Sequence, residues 1–310
     1  MPTRPAADPQ ATTPTLLPLL GVATALVLWA SAFVAIRHLG RDISPGALSL
    51  GRLVVGSLCL GAVLTARGWR RPVASDWPRL VTIGLLWFGI YNVALNEGER
   101  RVDAGTAAML IQVAPVLIAL LAVLVLKEQS TATLWVGLAC AFAGVVVISV
   151  ASTPDGDRDP LGVGLCLLAA AAYAVSLVVQ KPMMARLSAL QVTWVACTVG
   201  AVACLPFAPD LVREAADLPA VDLGWWVYLG VFPTAVAFTA YGYALTHSDA
   251  SRLGVTTYLV PPITVAMGWV LLAEAPSTLA YVGGAMCLTG VALTRRRPRR
   301  TRTDPAPSAA

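Results

Sequence analysis

Charge is what this 310-residue sequence has least of: Asp, Glu, Lys and Arg make up 13% of it, against 57% apolar residues. Soluble domains carry about 25% charged residues, so no ordinary water-facing surface can be assembled from this chain. Histidine occurs only twice, and the six cysteines (Cys59, Cys140, Cys166, Cys197, Cys204 and Cys287) form no CxxC pair and no ligand-like spacing. Set inside apolar runs, they read as small packing residues, not as metal ligands or disulfide partners. There is no GxxxxGK[ST] loop, so ATP hydrolysis is not expected, and no cofactor is expected either. Residues 1–15 are polar and rich in Pro, Ala and Thr. They lack the basic n-region and small-residue cleavage site of a secretory signal, so the first apolar run is expected to stay in the protein behind a disordered tail.

Long apolar runs are what the chain does have. Punctuated by Pro, Gly and charge clusters, they predict helices near 16–36, 45–66, 79–96, 103–126 and 131–151. A second set follows near 160–180, 188–207, 223–245, 250–272 and 275–294. A span needs about 20 residues, so the pattern predicts an all-α polytopic membrane protein with ten transmembrane helices. Thr153-Pro-Asp-Gly-Asp-Arg-Asp-Pro160 divides it, being turn-forming and too acidic to enter hydrocarbon. The organisation expected is a tail at 1–15, a first repeat at 16–151, a loop at 152–159, a second repeat at 160–294 and a basic tail at 295–310.

The formal charge of +5 does not point to nucleic acid, because the arginines concentrate in Arg67–Arg79 and Arg295–Arg302 beside predicted spans. That placement implies orientation and contact with anionic lipid. With the N-terminus inside, fifteen Lys and Arg fall in cytoplasmic segments and six in outer ones (Arg37, Arg41, Arg100, Arg101, Arg158 and Arg213), with Arg52 inside a helix. Both termini are therefore expected in the cytoplasm.

Shifting the chain by 146 positions places Asp103 on Asp249, Ala104 on Ala250, Pro115 on Pro261 and Glu128 on Glu274, then Gly137 on Gly283, Ala139 on Ala285 and Gly144 on Gly290. One offset shared by two elements indicates an internal repeat. Five helices per half make the two repeats enter the membrane from opposite sides, the inverted plan of many secondary transporters.

Ala104-Gly-Thr-Ala-Ala-Met-Leu-Ile-Gln-Val-Ala-Pro115 running to Glu128, with its echo Ala250-Ser-Arg-Leu-Gly through Leu-Val-Pro261 to Glu274, resembles the drug/metabolite transporter superfamily in its ten-helix EamA-type branch. Trp29-Ala-Ser-Ala-Phe33 and the Ser-Pro45 to Arg52 opening of the second helix extend the resemblance over residues 16–294. It implies a secondary transporter that moves small metabolites, such as amino acids, or drug-like solutes across the inner membrane by alternating access. The four-helix multidrug relatives couple protons through a mid-membrane glutamate in the first helix. Residues 26–36 carry no carboxylate, so that route is not expected here.

Candidate site residues follow from depth and chemistry. Pro115 and Pro261 remove a backbone hydrogen bond near mid-helix, and either kink packing helices or flank a central cavity. Arg52 either snorkels to headgroups or meets an anionic solute. Trp29, Ser31 and Phe33, with Tyr173 at an offset of 144 from Trp29, either pack helices or wall the cavity. Tyr91, Asn92, Asn96 and Gln112 serve either as interhelical glue or as solute contacts. Tyr241 and Tyr243, with Tyr258, either supply hydroxyls to the same space or, for Tyr241 and Tyr243, form an interfacial aromatic belt near the cytoplasm. Glu97, Glu99 and Asp103 are the clustered acids available for proton coupling. Glu128 and Glu274 read as helix-end contacts. A polytopic enzyme and a non-transporting assembly partner are the other classes considered, but no DxxxD cluster or paired histidines favour the enzyme. The expected partners are a small solute and the bilayer; the oligomeric state is open and a monomer suffices.

Overall fold

The computed structural model describes residues 16–126, 132–151, 159–247 and 256–294. Glu128, Asp249, Ala250, most of the 152–159 loop and both tails lie outside the described residues, and with them part of the repeat and orientation reading.

All regular structure among the described residues is helical. We number the helices α1 (Leu16–Leu39), α2 (Pro45–Arg67), α3 (Ala74–Glu99), α4 (Ala104–Val125), α5 (Ala132–Ala151), α6 (Pro160–Met184), α7 (Ala189–Ala203), α8 (Ala208–Asp217), α9 (Ala220–Ala244), α10 (Thr257–Leu272) and α11 (Thr278–Thr294). Six of them, α1, α2, α3, α4, α6 and α9, are long and apolar enough to cross a membrane. A seventh is added if α7 and Leu205–Asp217, bent by 51° from it, form one span. Shorter apolar helices occupy Trp135–Val147, Thr257–Leu272 and Thr278–Gly290. Large apolar side chains such as Leu58, Phe142 and Trp269 stay exposed on the outside of the bundle. That surface suits lipid and not water.

Local chemistry sets the helix starts. Pro45 occupies the first turn of α2, where a missing N–H costs nothing. The Asp103 carboxylate accepts from the Thr106 N–H and hydroxyl at 2.8 and 2.6 Å and so caps α4. Ser188 and Gln191 form a capping box for α7. Asp159 caps α6, accepting from the Gly162 N–H at 3.0 Å and from Arg101 at 3.1 Å. Partial desolvation pushes its acidity the other way, but these bonds hold the Asp159 carboxyl below the usual carboxylate range.

The structure departs from the sequence expectation at two kinds of place. The outer loop expected after residue 207 carries a helix, α8, because Pro206 stops α7 and an amphipathic decapeptide follows. And α3 and α9 are not plain α-helices: each contains a seven-residue π segment, Gly84–Ile90 and Gly230–Val236. These two segments stand 146 positions apart, the offset of the repeat.

The halves meet through equivalent helices. On α5 and α11, Gly144 faces the Gly283 carbonyl and Gly290 faces the Gly137 carbonyl, each so close that a Cβ would sit 2.5 Å from the oxygen. The Cys140 thiol donates to Met286 O at 3.4 Å and Cys287 to Ala141 O at 3.3 Å. The two glycine contacts map onto each other under the 146 shift and each cysteine pair maps onto itself, while Gly137 meets Gly290 and Gly144, further along α5, meets the earlier Gly283. The two helices therefore cross antiparallel and are related by a two-fold axis perpendicular to them. The equivalent α2 and α7 also pack against each other, through Ser57–Thr198 (2.6 Å) and Cys197–Leu53 O (3.4 Å).

Replacing Gly144 by valine drives a side chain into that crossing and is expected to cost about 1–3 kcal/mol, as overpacking does. Gly164→Ala, where a Cβ meets nothing within 4 Å, is the control and leaves the thermal unfolding midpoint in detergent at or slightly above the parent value. The Asp159 cap contributes stability above the ordinary carboxylate pKa. That contribution is lost as pH falls through the lowered folded value, and thermal scans of Asp159→Asn against pH isolate it.

Candidate functional site: a central cavity

Backbone irregularity and cavity coincide. In α4 the helix runs from Ala104 to Ile111, breaks at Gln112 and Val113, and resumes at Ala114–Leu126, leaving Pro115 in the first turn of the second segment. In α10 a 3₁₀ turn, Thr257–Leu259, precedes Val260–Leu272, leaving Pro261 in the equivalent position. Each proline sits where no intrahelical N–H is needed, so the sequence's kink is resolved as a helix start. Gln112 fastens the two breaks together, its Nε2 donating to the Thr257 carbonyl at 3.1 Å.

The π segments do similar work on the other side. A π turn frees main-chain carbonyls, and side chains five residues on cover them. Asn92 Nδ2 donates to Trp87 O at 3.3 Å and to Phe88 O at 2.9 Å. The Thr234 hydroxyl donates to Leu229 O at 2.9 Å.

Between these four irregular stretches lies a cavity of about 350 Å³ lined from α1, α2, α3, α4, α6, α9 and α10. Its wall is aromatic. Trp29 lies 5.0 Å from Tyr241 and 5.6 Å from Phe238, and Trp87 bridges Phe238 (5.6 Å) to Tyr173 (5.1 Å), with Tyr91 next at 6.1 Å from Tyr173. Its polar groups are few: Arg52, Asn92, Gln112, Thr234, Thr257 and the tyrosines. Arg52 Nε donates to the Thr234 hydroxyl at 3.2 Å, and among the described residues no carboxylate lies within ion-pair distance of the guanidinium. A concave, mainly apolar space with one charged pole is the ordinary form of a small-molecule site.

Of the residues singled out from sequence, Trp29, Phe33, Arg52, Tyr91, Asn92, Gln112, Pro115, Tyr173 and Tyr241 line this cavity. The other cavity candidates lie elsewhere. Ser31 shares a 2.6 Å hydrogen bond with the Tyr228 hydroxyl and donates to Leu28 O. Asn96 bonds Ser49 Oγ at 2.9 Å, tying α3 to α2 as interhelical glue. Tyr258 packs against the pair Val116 and Ala141, and Pro261 is buried outside the lining. Sequence reasoning missed Trp87, Phe88, Thr234 and Phe238, all in or next to π segments. The only available signal was the pair Gly84 and Gly230 at the repeat offset.

The three acids also separate. Glu97 pairs with Arg101 at 2.7 Å and with Arg100 at 3.5 Å. Asp103 is the cap already described. Glu99 is fully buried, and neither carboxyl oxygen has a hydrogen-bond partner among the described residues. Beside it Arg37 donates to the Glu99 carbonyl at 2.7 Å and pairs with Glu274 at 3.0 Å, while Arg41 reaches Glu274 at 3.1 Å.

A model of the EamA-like transporter family matches residues 16–150 and again 160–296. The chain belongs to this family. Like its relatives, this permease is a multi-pass membrane protein that moves small molecules. A probable terminal-alkyne amino-acid exporter of Streptantibioticus cattleyicolor is 39% identical over 88% of this chain and 91% of its own. An uncharacterized transporter of Bacillus subtilis, YdfC, is 30% identical over 86% and 87%, and one of Archaeoglobus fulgidus 31% over 89% and 98%. A solved crystal structure, 21% identical, superposes with a TM-score of 0.59 over 90% of this permease and 96% of that chain, which shows the shared fold.

Gln112→Leu removes the bond between the two helix breaks and is expected to cost on the order of 1 kcal/mol, the usual size for an interhelical hydrogen bond in membranes. Thermal unfolding of the purified permease in detergent measures it.

Proposed function

We propose that this permease exports an amphipathic carboxylate of the apolar amino-acid class across the cytoplasmic membrane by alternating access. Arg52 carries the reading. Among the described residues its guanidinium lines the cavity with only a hydroxyl as hydrogen-bond partner, so a solute carboxylate is the group that completes it. The ring wall of Trp29, Phe33, Trp87, Tyr91, Tyr173 and Tyr241 then receives the apolar side chain, and Asn92 and Gln112 add amides to the lining. The name of the Streptantibioticus relative, a probable amino-acid exporter, agrees in solute class and direction.

Ten spans, in two five-helix repeats of opposite orientation with both termini cytoplasmic, complete the reading. In it α5, α7, α10 and α11 cross together with the six long helices. The antiparallel, self-matching contact of α5 with α11 supports the inverted relation, and the Lys and Arg distribution supports the orientation.

Efflux of radiolabelled apolar amino acids from proteoliposomes tests it. Arg52→Gln is expected to lower efflux by about tenfold to a hundredfold, the worth of a charged hydrogen bond, with normal membrane insertion. Arg52→Lys retains part of the activity. Equal transport of the matching amides, or wild-type efflux by Arg52→Gln, would overturn the carboxylate reading.

A further inference from the structure

One buried group has no part in the cavity yet sits one turn from it. Glu99 follows Leu95, a lining residue, by four positions on α3, and it is fully shielded from solvent. Both of its carboxyl oxygens lack a hydrogen-bond partner among the described residues. Ionised in this arrangement it is a buried charge without a donor, one of the costliest states a side chain can hold; protonated it is neutral.

What surrounds it is a tie just beyond the lining residues Ile36 and Leu95. Arg37, the residue after the lining Ile36, spends its Nε on Glu274 (3.0 and 3.2 Å) and its Nη1 on the main-chain carbonyl of Glu99 itself (2.7 Å). Arg41 adds a second bond to Glu274 at 3.1 Å. The end of α1 is thereby fastened to the α10–α11 connection. The charged and titratable groups within electrostatic reach of Glu99 are Arg37 from α1, Arg52 from α2, Tyr91 from its own helix, Asp103 from the start of α4, Cys166 from α6 and Glu274. Arg37 is the nearest cation in effect, and in this conformation its guanidinium serves a carboxylate other than the one beside it.

We infer that Glu99 is a proton-binding site that operates the Arg37–Glu274 tie. With its proton on, Glu99 makes no demand on Arg37, Glu274 holds the guanidinium, and that end of the cavity is shut. When the carboxyl gives its proton to water, the new carboxylate competes with Glu274 for the same guanidinium, the link between α1 and the α10–α11 connection loosens, and that end opens. One proton is released per opening and taken up again on closing. This rests on the alternating-access reading above and adds to it the group through which protons act.

The test needs no transported solute. Ala32→Cys places a thiol in the cavity, and a membrane-impermeant maleimide is applied from the side of the membrane that carries Arg37 and Glu274. Labelling beyond that of the parent protein, corrected for the reagent's own pH dependence with a free thiol, reports opening. It is expected to rise with pH by up to about tenfold per unit below the midpoint, the limit for one titrating group. Glu99→Gln, nearly isosteric, is expected to stay at the low-pH rate at every pH. Glu274→Gln, which frees Arg37, is expected to stay at the high-pH rate and serves as the second variant should Glu99→Gln fail to fold. A pH-independent rate in the Ala32→Cys protein, or the full pH profile persisting in either variant, would overturn the inference. Because labelling is independent of solute, failure to transport amino acids overturns only the solute assignment.

Discussion

Inside a bilayer no water is available to pair a stray N–H or C=O, and this constraint governs where the chain is free to depart from the α-helix. Around the cavity it does so at four places among the described residues: the break at Gln112–Val113, the 3₁₀ turn at Thr257–Leu259, and the π segments Gly84–Ile90 and Gly230–Val236. All four contribute residues to one cavity, and side chains such as Asn92, Gln112 and Thr234 cover carbonyls there. The site is thus where the helical rule is relaxed and locally repaired.

The repeat explains the scaffold and not the chemistry. Backbone features come in pairs: proline-led helix starts, π segments, glycines at the α5–α11 crossing. The polar side chains facing the cavity do not. Arg52 has Ala196 as its counterpart at an offset of 144, and at 146 Asn92 answers Phe238, Phe88 answers Thr234 and Gln112 answers Tyr258. In the proposed reading, symmetry of the frame supplies two related conformations, while asymmetry of the lining gives the solute a single orientation with its charge toward α2.

Much of this was legible in the sequence because hydropathy, punctuation and a shared offset are linear properties. Helical segments, Arg52 and the Trp29–Tyr173 relation follow from them. The π segments do not, since one extra residue in a turn leaves no mark in an apolar run, and Trp87, Thr234 and Phe238 went unnoticed with them. Nor does sequence spacing separate Glu97, Glu99 and Asp103. Their different fates, an ion pair, a buried carboxyl and a cap, depend on which neighbouring helix each one meets.

The π segment of α3 also sets the phase of everything after it. An α-helix advances about 100° per residue, so one residue more or less within Gly84–Ile90 turns the rest of the helix by roughly a quarter of a circle. Tyr91, Asn92 and Leu95 would leave the lining together, and Glu99 would swing away from Arg37. A single-codon insertion or deletion there is for this reason far more disruptive than a substitution at an exposed position such as Leu85, and the same holds for Gly230–Val236, with its exposed Phe232, in the other half.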